Sequence, residues 1–378
     1  MGLPPIVVPL PRATHRKIER ERGRRSESFR PSSGSKTAAV RKFLHTRPAL
    51  PAQGAGSVKF FSTLSYRLVW IAAIAASVTV PARAAQIAND ARSAIPRDVQ
   101  QLIVVDYRIM ENSSAAMDLK ARILPPELKQ LETALKTSGL NENQDVEQLA
   151  FAAYRIGSTG DDVRIVGLAQ GQFQVSDILA NFTKKKVKPT LIRNNKIYPM
   201  GASGMVVTFL NPTTMLFGTT EAIKPALDAR DGLAPSFLTN QDMLAAMAKV
   251  DGEPIWSILD TQGTQYMMHS LLGQASQLAD YEQVRKRLLS SSYTMSFNNG
   301  VKFELFVLTS DTFTAATMSS LLNAAAMYEK VSGNPTEKQA IDATTIDSTA
   351  GTLSVRFAAS DSQFSALLGS PLFQNVVH

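Results

Sequence analysis

The 378-residue chain contains no cysteine. That excludes disulfides, thiolate-bound zinc, iron–sulfur clusters and a thiol nucleophile. Histidine is almost as scarce. Of four, His15 and His45 precede position 85 and His378 is the last residue. Only His269 remains, in "QYMMHSLLG", too few for a His-rich metal site; no H-E-x-x-H occurs. As a general base, His269 would need Asp260 or Asp280 nearby. As a helical residue beside Met268, it is a half-exposed spacer at the edge of an apolar stripe, and that account asks for less.

Other chemical signatures are missing too. There is no G-x-S-x-G elbow, and Ser203 in "GASGM" joins two expected strands where an elbow needs strand then helix. Thr133 and Lys136 have T-x-x-K spacing but lie on an ordinary solvated helix face. "GLAQGQF" lacks the spacing of a dinucleotide fingerprint. "DARDG" at 228–232 lacks most calcium ligands and reads as a helix ended by Gly232. No cofactor or metal is expected.

Long apolar runs are absent with one exception, "LVWIAAIAASVTVPARAAQ". Its core, Leu68–Val80, is 13 uncharged residues. A bilayer-spanning helix needs roughly 20, whereas about 7–15 suits the core of an export signal. Lys59 and Arg67 precede it, Pro81 breaks it, and Ala82-Arg83-Ala84 gives the small-x-small pattern of a cleavage site. The expectation is cleavage after Ala84, leaving Ala85 first, in a periplasmic or extracellular protein. The alternative is an uncleaved anchor over 68–80, the one part that would then meet a membrane. Residues 1–57 are rich in Pro, Ser, Gly and Arg. They read as a disordered basic leader, with Val58 a candidate start and 58–84 the signal peptide.

Charge follows the same division. Of 40 basic and 32 acidic side chains, residues 1–84 hold 15 and three, so the rest holds 25 and 29. The net charge of +8 therefore belongs to the leader. The remainder is mildly acidic, and a nucleic-acid partner loses its support. The one cationic cluster there is "TKKKVKP", with Lys184, Lys185, Lys186 and Lys188. It could meet an anionic surface. It also fits a helix C-terminus followed by a lysine-guarded edge strand.

Hydrophobic periodicity then predicts the elements. Leu102–Val105 is a strand core that runs on through Met110. Asn112 or Ser113 caps a helix. Leu128, Leu131 and Leu135 stripe a second one, which Gly139 ends. Hairpins follow, with turns at Asn194-Asn195 and Asn211-Pro212. After "AMAKVDGEP" comes the strand "EPIWSILD", and residues 264–290 read as one long helix. Asn299-Gly300 joins alternating strands, Asp311 or Thr312 caps a helix, "AIDATTIDS" and "TLSVRFAA" form a hairpin around Ala350-Gly351, and a helix closes the chain. Both halves run strand, helices, hairpin, helix, hairpin, helix. The expected fold is α+β: two related modules, 95–246 and 252–378, each an antiparallel sheet with helices on one face.

The opening "IPRDVQQLIVVDYRIMENSSAAMDLK" resembles that of exported bacterial proteins carrying repeated α+β domains of unknown function. The resemblance covers a Pro-led strand, a helix with a small polar start and the element order. It implies export and an α+β fold, with no catalytic residues. The function expected is a non-catalytic binding or interaction module for an envelope protein or ligand. The alternatives are a carrier of an apolar ligand between sheet and helices, or a hydrolase using carboxylates such as Asp260 and Asp280.

Overall fold

The computed structural model describes residues 86–155, 163–201, 204–272, 279–370 and 373. The leader, the cleavage residues Ala82, Ala84 and Ala85, Ser203 and the side chain of Asp280 lie outside the described residues. A short helix α1 (Asn89–Ser93) leads into β1 (Val99–Asp106). The strand does not run on to Met110. The Asp106 carboxylate accepts the Ile109 backbone N–H at 3.1 Å, which turns the chain into α2 (Tyr107–Glu111) by satisfying one of its free donors.

Helix α3 (Ser114–Ile123) is capped by Ser113. Then comes α4 (Pro126–Thr137), with Pro126 in its first turn, where a missing N–H costs nothing. Gly139 follows at φ +97°, and a single turn α5 (Glu142–Asp145) leads to β2 (Val146–Arg155) and β3 (Val163–Gly171). Helix α6 (Val175–Lys184) precedes β4 (Thr190–Ile192) and β5 (Asn195–Pro199). Arg193 and Asn194 take left-handed conformations between these strands, so the turn sits one residue earlier than expected. Asn195 instead donates back to the Arg193 carbonyl at 2.7 Å. Strands β6 (Val206–Asn211) and β7 (Thr214–Gly218), helix α7 (Thr220–Arg230), a 3-10 turn (Phe237–Thr239) and α8 (Gln241–Met247) end the first half.

The second half holds β8 (Ile255–Leu259), α9 (Thr261–Leu272), α10 (Ala279–Arg285), β9 (Leu288–Ser296) and β10 (Val301–Thr309). Helices α11 (Thr312–Ser332) and α12 (Pro335–Asp342), strands β11 (Thr344–Thr349) and β12 (Thr352–Ala359), and α13 (Asp361–Leu368) complete it. Two expectations are corrected here. Residues 288–290 open a strand instead of ending a helix; Ser290 pairs with Leu308 and Leu288 with Thr309, a bulge at Leu289 that leaves Leu288 buried and Leu289 exposed. Residues 340–342 end a helix instead of opening a strand, because Asn334 and Glu337 form a reciprocal capping box that starts α12.

The twelve strands make one antiparallel sheet in the order β11-β12-β10-β9-β8-β1-β2-β3-β7-β6-β5-β4. The chain is thus α+β, as expected, but segments 95–246 and 252–378 share a single sheet and do not own one each. They join where β1 pairs with β8. Outward from that seam the pattern is the same on both sides: three consecutive strands, then the last strand of the half, then the one before it, with β5 and β4 added on one side only. The seam itself is symmetric. Ile103 faces Ser257, Asp106 N donates to the Pro254 carbonyl at 2.7 Å, and Asp260 N donates to the Gln100 carbonyl at 3.0 Å. Asp106 and Asp260 each then cap the helix that follows their strand.

Coverage of the two faces differs between the halves. On one face, Leu102, Val104, Ala152, Leu168, Trp256 and Ile258 pack under α1, α7 and α8. On the other, Phe151, Ala169, Met215 and Phe217 lie under α4 and α6, while Tyr293, Leu305 and Val355 lie under α9, α10 and α11. Helices on a single face were expected for both halves. Beyond β8 the second half has that arrangement; the first half, with β8 beside it, is covered on both. The cause is compositional: β1 and β7 are apolar on both faces and need two covers, whereas "SSSYTMS" in β9 alternates and leaves Ser290, Ser292, Thr294 and Ser296 facing outward, partly exposed.

A candidate ligand cleft beneath helix α4

Between helix α4 and the sheet lies a small cleft of about 90 Å³, partly open to solvent. Its floor is the sheet: Leu149 and Phe151 of β2, Ala169 of β3, and Met215 and Phe217 of β7. Its roof is the Leu128, Leu131 and Leu135 stripe of α4. Leu131 and Leu135 are buried, so the stripe faces inward as its spacing demands. The rings of Phe151 and Phe217 meet edge to face, 5.8 Å apart and at 82°. That contact exists because residue 167 is glycine. A Cβ there would lie 2.1 Å from the Phe217 ring. In the second half, Met267, Met268, Leu271 and Tyr281 of α9 and α10 are buried against the sheet.

One end of the cleft is polar. Lys120 Nζ donates to the Tyr107 hydroxyl at 3.0 Å and to Glu142 Oε1 at 3.0 Å, and lies 3.5 Å from Glu132 Oε2. It also sits 4.9 Å above the Tyr107 ring. Tyr107 in turn donates to Asn143 Oδ1 at 3.1 Å. Burial works against the charge on Lys120, but the bonds to Tyr107 and Glu142 together outweigh it and hold its pKa above the ordinary lysine value. It stays an ammonium at neutral pH and serves as neither nucleophile nor base. Burial, reinforced by the neighbouring Glu142, pushes the Glu132 carboxyl up. Burial likewise raises the Tyr107 hydroxyl.

The residues singled out in the sequence do not converge here. His269 is exposed on α9, 5.9 Å between ring centres from Tyr281. Asp260 caps α9, accepting the Gly263 N–H at 2.7 Å, and burial raises its pKa. Among the described residues no three metal-ligating side chains gather. Of the lysine cluster, Lys185 donates to the Thr137 carbonyl at 2.7 Å, at the end of α4; Lys184, Lys186 and Lys188 are exposed, and Lys186 takes a left-handed φ of 59° just past α6. The polar end of the cleft escaped sequence reasoning because Tyr107, Lys120, Glu132 and Glu142 come from four separate helices with no motif linking them. The α4 stripe was visible, but nothing in it tells a packed helix from one held off its sheet.

Among the described residues no helix is long and apolar enough to cross a membrane. No protein-family model matches the chain, and no curated protein matches it. Among solved structures it is similar to crystal form I of TP0453, at 9% identity and a TM-score of 0.42, over 75% of this chain and 98% of that one. Crystal form III of TP0453 gives 10% identity and a TM-score of 0.44, over 74% of this chain and 98% of that one.

Proposed function

We propose that this protein is a non-catalytic binding protein that holds an apolar or amphipathic small molecule in the cleft beneath α4. The observation that carries this is the cleft itself. Its walls are leucine, phenylalanine, methionine and alanine, and its bonded polar groups gather at one end. The only cationic nitrogen bonded inside the polar end is held as an ammonium, which favours binding over chemistry.

The same reading places the protein outside the cytoplasm. It rests on the signal-like segment 58–84 and on the resemblance of residues 95–120 to exported bacterial proteins. Such a protein would keep an apolar molecule soluble in the envelope.

The test is native mass spectrometry of the protein taken from cells, together with binding of the apolar fluorophore Nile red. Ala169→Phe, which fills the floor, should weaken Nile red binding roughly tenfold or more while circular dichroism and Tm show the fold intact. Unchanged binding by a folded Ala169→Phe protein would remove the cleft as the site.

A further inference from the structure

The polar end of the cleft restricts what kind of headgroup a ligand can bring. An ammonium has three donors. Lys120 faces three acceptors, Tyr107, Glu142 and, more distantly, Glu132, so its donating capacity is spoken for. Tyr107 has already given its one proton to Asn143. The Glu132 and Glu142 carboxyls also sit against each other, and with two oxygens and about four acceptor positions each the pair still offers more acceptors than the neighbouring donors can fill. Two carboxylates against one enclosed ammonium also leave this end without positive charge to spare. Lys136 is a second cation beside the cleft, but it is exposed on the rim, where water and salt screen it.

We infer that the cleft takes single-chain amphiphiles whose headgroup donates hydrogen bonds and carries no negative charge, a long-chain alcohol, monoglyceride or amine, in preference to a fatty acid. The acyl chain lies between the α4 leucines and the Phe151–Phe217 floor. The headgroup donates to the Glu132–Glu142 carboxyl pair. A fatty-acid carboxylate would face those oxygens with nothing to donate, and no free ammonium at that end to meet it.

This inference rests on the proposed ligand cleft, and the experiment separates the two. Lauric acid, monolaurin and dodecylamine share one chain length and differ in headgroup. Each is titrated at neutral pH against Nile red bound to the full chain. Monolaurin and dodecylamine should displace the dye at concentrations roughly tenfold lower than laurate. Glu132→Gln keeps the shape, removes one carboxylate and lies on a partly exposed helix face where folding is safe. It should narrow the gap between laurate and dodecylamine severalfold. Laurate binding as tightly as the other two, or a gap unmoved by Glu132→Gln, would overturn the headgroup inference and leave the cleft standing. Failure of all three to displace the dye would overturn the cleft reading itself.

Discussion

At the scale of single residues, the cleft depends on one missing side chain. Gly167 lies between Phe151 and Phe217 in neighbouring strands, and its bare Cα lets the Phe217 ring come against β3. Alanine at 167 would put a methyl group inside that ring, so the ring must swing away from the sheet. The empty space it would enter is the cleft. We therefore expect Gly167→Ala to destabilise the protein by about 1–3 kcal/mol, the usual range for overpacking, and to weaken Nile red binding by more than the stability loss explains. Urea denaturation and dye titration on the same sample check both. Unchanged stability together with unchanged binding would mean that Phe217 is not held where the floor requires it.

At the scale of elements, local signals were the legible ones. Ser113, Asp311 and Gly139 act where capping rules put them. The Asn299-Gly300 and Ala350-Gly351 turns were found from composition, and all four residues take positive φ. What the sequence concealed were places where a side chain redirects the backbone: Asp106, which ends β1 by capping α2, and the Asn334–Glu337 box, which makes a helix of residues that look strand-like. The Ala350 turn carries a strain that the Asn299 turn avoids. Both residues of the β11–β12 loop are left-handed, the geometry that favours Asn-Gly, and alanine pays for its Cβ there. Ala350→Asn should thus raise stability by about 0.5–1 kcal/mol, measured as a higher urea midpoint at unchanged slope. A lower midpoint would show that the loop is held by something other than its turn type.

At the scale of the whole molecule, the repeated order of elements was readable but the joining of the two halves was not. Strand pairing across some 150 residues leaves no local trace, and a doubly apolar strand such as "LIVV" or "IWSIL" looks the same at the middle of one sheet as in two. The seam has an energetic consequence. Trp256 and Ile258 of β8 are buried in the same core as Leu102, Val104 and Leu168 of the first half, and β1 and β8 supply each other's ladder bonds. Separating the halves would strip both of a central neighbour and expose two apolar edges, which is costly. The halves should then unfold together despite a length at which domains often melt one by one. Trp256 reports on the seam directly, and Trp70 is the chain's other tryptophan. In the full chain carrying Trp70→Phe, the fluorescence of Trp256 and the far-ultraviolet ellipticity should follow one urea transition with a common midpoint. Ellipticity lost in two steps, with Trp256 reporting only one of them, would mean that the seam does not couple the halves and that each stands on its own core.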